Sequence, residues 1–205
     1  MQGPSDFDVK HRVVASVIYH LPVGPGLLFS PSSKALDAVI GGWELSAVAT
    51  LPTGVPYNER YNDDNASTNT IVGGTQPTRP NYVPGQPFVL ANRTAGSNGQ
   101  WVNPAAWQEP APGFLGTSAR NMLYGPGYQR FDMSLDKNFN MTYNEHHQLQ
   151  IRFDAFNAFN HTNFGNPNTF LDGTSTPGRI TGSDAPSGSA NGGSRELQLA
   201  ARYSF

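Results

Sequence analysis

The chain has 205 residues, of which 37% are hydrophobic and 14% charged, with a formal net charge of -2, 22 glycines, 17 prolines and no cysteine. So high a share of turn-forming residues disfavours a helical protein, the lack of any basic run excludes nucleic acid as the main partner, and the lack of cysteine excludes disulfides and thiolate chemistry. No segment approaches the roughly 18 apolar residues of a membrane-spanning helix, and the opening MQGPSDFDVKH has neither the basic nor the apolar part of a leader.

Period-two alternation carries most of the signal. Asp8 to Leu21 reads as the first strand, with Val13, Ala15, Val17, Tyr19 and Leu21 on one face and Arg12, Ser16 and His20 on the other. Its polar face is imperfect, because Val14 and Ile18 also lie there. Pro22 to Gly42 is punctuated by PVGPG, SPSS and a Gly-Gly pair, with the short apolar piece ALDAVI between them. Trp43 to Leu51 predicts the second strand, in which Trp43, Leu45, Ala47, Ala49 and Leu51 oppose Glu44, Ser46, Val48 and Thr50. Pro52 to Gly127 is a long irregular region with ten prolines and isolated aromatic anchors at Tyr82, Trp101 and Trp107. Such a length is unusual within a compact soluble domain, whereas outer-membrane barrels carry long outer loops as a rule.

Tyr128 to Phe139 predicts the third strand, with Phe131, Met133, Leu135 and Phe139 on the apolar face and Arg130, Asp132, Ser134, Asp136 and Asn138 opposite. A polar turn at Asn140 to His146 leads to the fourth, His147 to Phe159, where Leu149, Ile151, Phe153 and Ala155 oppose Gln148, Gln150, Arg152 and Asp154. Because the apolar faces of this hairpin must coincide, facing positions share parity, and a register near Asp136 opposite Gln150 would gather Arg130, Asp132, Arg152 and Asp154 on the wet side. After a Gly- and Ser-rich loop, Asn160 to Ser194, the last eleven residues RELQLAARYSF form the fifth strand, with Leu197, Leu199, Ala201, Tyr203 and Phe205 on its apolar face. Connections after the second and fourth strands are long and those after the first and third are short. With the carboxyl terminus on the periplasmic side, both long loops fall outside and both short turns inside, the asymmetry of bacterial barrels.

The candidate sites are few. Arg130, Asp132, Asp136, Arg152 and Asp154 read either as lumen-facing charges that hold a plug or as a structural ladder of cross-strand pairs. Asp63 and Asp64 offer hard oxygen ligands for calcium, but in a spacing unlike the calcium-loop motif, so a solvated loop tip competes with that reading. The adjacent His146 and His147 point to opposite faces of a strand and share no metal. No nucleophile elbow, phosphate loop or metalloprotease motif occurs, so neither enzyme nor cofactor is expected. Tyr19, Trp43, Tyr57, Tyr128, Phe139, Phe159, Tyr203 and Phe205 lie near strand ends, where aromatic side chains form interfacial girdles.

Four stretches carry a resemblance: FDVKHRVVASVIYHLPVG, IGGWELSAVATLPTGVPY, WVNPAAWQEPAPGFLGTSARNMLYGPGYQRFDMSLDKNFN and LQIRFDAFNAFNHTNFGNPN, closed by a terminal Phe. Together they resemble the carboxyl-terminal part of TonB-dependent outer-membrane receptors, most closely the Oar-like group with an amino-terminal carboxypeptidase-regulatory-like domain. The resemblance implies a plugged barrel of about 22 strands that imports a scarce ligand, driven through TonB. It also implies that the barrel assembly machinery reads Leu197, Leu199, Tyr203 and Phe205 by strand addition. The chain departs from the family in lacking the plug, the TonB box, a signal peptide and most strands, and five strands do not close a barrel.

The expected fold is therefore all-β and antiparallel, a partial outer-membrane barrel spanning residues 1–205 as one carboxyl-terminal receptor segment. Expected partners are the remainder of the barrel and plug, the TonB complex through the missing amino-terminal part, the assembly machinery and outer-membrane lipid. The alternatives are a soluble β-sandwich in which Trp101 and Trp107 grip a carbohydrate, a truncated inactive product, or several copies closing a ring.

Overall fold

The structure, a computed structural model, describes residues 3–24, 26–61, 78–94, 99–140, 147–174, 176–183 and 193–205. Asp63, Asp64 and His146, together with most of the turn before the fourth strand, lie outside the described residues. The chain divides into two compact units, one of Val13–Leu51, Gln129–His161 and Gly193–Phe205, the other of Met1–Arg12, Pro52–Tyr128 and Thr162–Gly192.

The first unit is built on one sheet. Its strands are β1 (Arg12–His20), β2 (Trp43–Pro52), β7 (Arg130–Asn140), β8 (Gln148–Phe156) and β9 (Glu196–Ser204), in the spatial order β1-β2-β7-β8-β9. Between β1 and β2 stands a short helix, α1 (Lys34–Ile40), where the sequence offered only an apolar piece. Ser33 caps it by accepting from the Leu36 N–H at 3.4 Å, and the Gly41 N–H closes its last turn on the Asp37 carbonyl at 2.8 Å. All five predicted strands are present, and each is antiparallel to the neighbour for which a register is defined.

Pairing carries the alternation across the sheet. Trp43 faces Lys137, Leu45 faces Leu135, Ala47 faces Met133 and Ala49 faces Phe131. Leu135 then faces Phe153 and Met133 faces Ala155, while Phe153 faces Leu199, Ile151 faces Ala201 and Leu149 faces Tyr203. One face is thus apolar for the most part from strand to strand and the other carries the serines, amides and charges, because a register shift by an odd number would set every apolar side chain of a strand among polar ones. Every residue of β1 and of β9 is exposed, as befits the two edges of an open sheet.

Two sequence expectations are corrected here. Asp136 faces Arg152 and not Gln150, so the hairpin register is offset by two residues while its parity holds. Hydrophobic matching decides parity only, and the turn decides among the registers that share it. The fourth strand also stops at Phe156, three residues early, because Asn157 takes the left-handed conformation with φ 49°, which ends a ladder.

The second unit gathers the amino-terminal lead and the two long connections. The region after β2 has little regular structure, yet it is packed. Two-residue strands β3 (Pro56–Tyr57) and β6 (Leu123–Tyr124) pair with each other, as do β4 (Asn81–Tyr82) and β5 (Trp107–Gln108). A single 3-10 turn at Pro104–Ala106, capped by Asn103, leads into β5. Tyr57, Val102, Ala106, Trp107 and Leu123 form a core, with Phe88, Val89, Trp101, Met122 and Leu171 packed on it. Gly54 and Gly125 let two backbones touch: a Cβ on Gly54 would sit 1.9 Å from the Gly125 carbonyl oxygen.

Candidate functional site

On the polar face of the sheet the five predicted charges are all present, in two groups. Arg130 binds the Asp132 carboxylate through Nε at 2.7 and 2.8 Å, and its guanidinium lies 5.8 Å from the centre of the Phe156 ring. Arg152 binds Asp154 at 2.8 Å and stands 3.8 Å from Asp136 across the strand. Ser134 donates to Asp154 in the same group. The offset register explains the division. Arg152 falls beside Asp136 and Ser134 instead of beside Asp132, so the single four-charge cluster expected from Asp136 opposite Gln150 does not form. His20 and Glu44 add a pair at 3.2 Å at the other side of the sheet. Within each of the two groups the charged side chains satisfy one another.

The phrase RFDAFNAFNHTNF turns out to be a fastening. Asn157, left-handed and buried, donates its backbone N–H to Asp132 at 2.9 Å. Its side-chain amide donates to the carbonyls of His161 at 2.9 Å and Gly193 at 2.7 Å, and its Oδ1 accepts from the His161 N–H at 3.0 Å. Asn160, also left-handed with φ 53°, accepts from the Arg195 N–H at 3.1 Å. Two asparagines thus hold the lead into β9, since Asn tolerates this conformation and supplies both donor and acceptor. They carry no alternation signal because they lie just past a strand.

Of the terminal-strand residues, Leu197, Leu199, Tyr203 and Phe205 are exposed. The Tyr203 hydroxyl meets His147 Nδ1 at 2.5 Å, and its ring lies 6.1 Å from that of Phe205. Tyr19, Trp43, Phe139 and Tyr203 occupy the apolar parity at the end of the sheet where the short turns join, as the girdle reading requires. Tyr57 does not belong with them: it is a core residue of the other unit.

One residue was missed although the pattern marks it. Lys137 occupies an apolar-face position, where alternation asks for a hydrophobe. It is 3% exposed. Its ammonium donates to the carbonyls of Val39 at 2.9 Å and Gly41 at 2.5 Å and lies over the rings of Phe139 and Trp43 at 4.8 and 5.5 Å. A cation on an apolar face needs such partners.

In the unit of long connections the amino-terminal lead is bound in place. Arg120 holds Asp6 through both carboxylate oxygens at 3.1 Å, and Asn121 donates to Asp6 at 2.6 Å and to the Pro4 carbonyl at 2.9 Å. The hydrogen bonds from Asn121 and Arg120 hold the Asp6 carboxyl below the usual carboxylate pKa. Tyr124 donates to Asp8 at 2.8 Å, a bond that raises its pKa. Deeper in the unit Glu59 is 3% exposed, and neither of its carboxylate oxygens has a partner among the described residues. Burial pushes its pKa up to about 8, with Arg60 pulling weakly the other way. Trp107, 6% exposed, stacks on Phe88 at 5.1 Å, so its ring is core packing and offers no face to a sugar. Among the described residues no group of three or more His, Asp or Glu side chains is placed to hold a metal ion.

A family model described as an outer membrane beta barrel domain matches residues 1–198. Among curated proteins and among solved structures, none matches the chain. The match covers nearly the whole sequence and agrees with an antiparallel sheet that is apolar on one face and open at its edges. The chain is an outer-membrane protein and belongs to the outer membrane β-barrel domain family.

Proposed function

We propose that the chain supplies wall strands and outer loops to a TonB-dependent receptor of the Oar-like group, and that its task is ligand capture and transport rather than catalysis. The observation that carries this reading is the sorting of connections by length. Residues 53–129 and 157–195 join strands at one end of the sheet, and residues 21–42 and 141–147 join them at the other. The longer segments fold into a unit with its own core, which is what a receptor needs to present a shaped surface outside the cell.

On this reading the polar face lines the lumen, and Arg130, Asp132, Asp136, Arg152 and Asp154 stand where a plug would meet the wall. The open edges of β1 and β9 are closed by further strands of the same barrel, since unpaired backbone cannot face lipid. Leu197, Leu199, Tyr203 and Phe205 then serve first as the strand read by the assembly machinery.

The reading is tested by the coding sequence upstream of Met1 and by uptake. It predicts an in-frame extension with more alternating strands, a plug and a leader, and accumulation of a scarce ligand that stops when TonB is removed. A stop codon followed by an independent ribosome site would overturn it, as would uptake indifferent to TonB.

A further inference from the structure

Helix α1 is turned inside out for a protein surrounded by water. Leu36, Val39 and Ile40 recur at the helical spacing of one face, and all three are exposed, Val39 at 63%. Asp37 Oδ1, by contrast, is buried. The loop before the helix adds Leu27, Leu28 and Phe29, also exposed, with Leu28 at 78%. Six large apolar side chains therefore face outward on a single short turn.

What positions this patch is the sheet. Trp43 and Lys137 face each other on β2 and β7, both on the apolar face. Both donate to the Val39 carbonyl, Trp43 through its indole N–H at 3.0 Å and Lys137 at 2.9 Å. Lys137 also takes the Gly41 carbonyl. These bonds satisfy the Val39 carbonyl in the last turn of α1 and the carbonyl of its C-cap Gly41, groups that a helix end leaves without intrahelical partners, and they place the helix end on the apolar side of the sheet.

We propose that α1 and the 27–29 loop form an interfacial seat, lying in the headgroup region of the leaflet at the short-turn end, with Lys137 and Trp43 as the pins that hold it there. The apolar face of the sheet is the lipid face of an outer-membrane barrel domain, and the patch continues that face past the aromatic positions Tyr19, Trp43, Phe139 and Tyr203. Lipid explains both halves of the pattern. The outward hydrophobes enter the acyl boundary, and the cation on the apolar face reaches backbone oxygens at the interface instead of the bilayer interior. The inference rests on the family assignment and on the geometry, and does not depend on TonB.

The chain contains no cysteine, so single labels are clean. Full-length Val39→Cys and Leu28→Cys proteins, carrying an environment-sensitive fluorophore and folded into phosphatidylethanolamine/phosphatidylglycerol vesicles, are read with a shallow lipid-borne quencher and with aqueous iodide. Leu199→Cys reports insertion and Gln108→Cys reports water. The expected result is lipid quenching at positions 28 and 39 at least about half as strong as at 199, with iodide quenching severalfold weaker than at 108. Adding Lys137→Ala should raise iodide access at 39 about twofold or more while leaving 199 unchanged. Iodide access at 28 and 39 equal to that at 108 overturns the proposal, whatever 199 reports. Shielding from iodide without lipid quenching also overturns it, and assigns the patch to a second copy or another protein.

Discussion

Glu59 is the described residue most at odds with its surroundings. Its carboxyl ionises near 4.5 when free and near 8 in place, so between those values the folded unit keeps a proton that the unfolded chain has released. The contribution of Glu59 to stability is largest below about pH 4.5, falls by up to about 1.4 kcal/mol per pH unit as pH rises, and levels off above about 8. Glu59→Gln removes the titration. We expect the stability difference between variant and parent to shift in favour of the variant by up to roughly 4 kcal/mol from pH 5 to pH 8, in denaturant melts followed by the emission of Trp101 and Trp107. Curves that stay parallel over that range would contradict the burial. Nothing in the sequence marks Glu59, because a buried carboxylate has no local signature; its neighbours in the core come from positions tens of residues away. Lys137 differs: it breaks the period-two pattern at one place, and that signal was legible.

At the scale of elements, the fastening of β9 by Asn157 gives a sharp expectation. Asn157→Ala loses its side-chain bonds to His161 and Gly193 and places a Cβ residue with no compensating amide at positive φ. Asn157→Gly loses the same bonds but accepts the backbone. Alanine should therefore cost about 1 kcal/mol more than glycine, with both several kcal/mol below the parent, measured by thermal unfolding in detergent. Equal stability of all three would remove the fastening. Gly54→Ala is expected to destabilise the unit of long connections by several kcal/mol, since the clash is with backbone that cannot rotate away; an unchanged melting temperature would refute it. The strands themselves were legible to within four residues, because alternation is a local property of the chain. Register was not, since parity survives a shift of two. The core of Tyr57, Val102, Ala106, Trp107 and Leu123 was not legible either: two-residue ladders carry no period, and their partners are distant in sequence. That is why Tyr57 read as a girdle residue and Trp107 as an isolated aromatic anchor in an irregular region.

For the whole molecule, the two faces of the sheet meet two different solvents. A charge on the apolar parity at mid-depth, such as Leu199→Arg, should cost roughly 2–4 kcal/mol of folding in lipid, whereas Gln198→Arg on the other parity should cost little. Folding yields into vesicles compare the two directly, and equal yields would count against the assignment. The most direct measurement is a cysteine scan of β8 from Gln148 to Ala155 in outer-membrane vesicles, with a membrane-impermeant, water-soluble maleimide admitted to both sides. Labelling is expected at 148, 150, 152 and 154 and protection at 149, 151, 153 and 155. Uniform labelling, or labelling with the opposite parity, would contradict it.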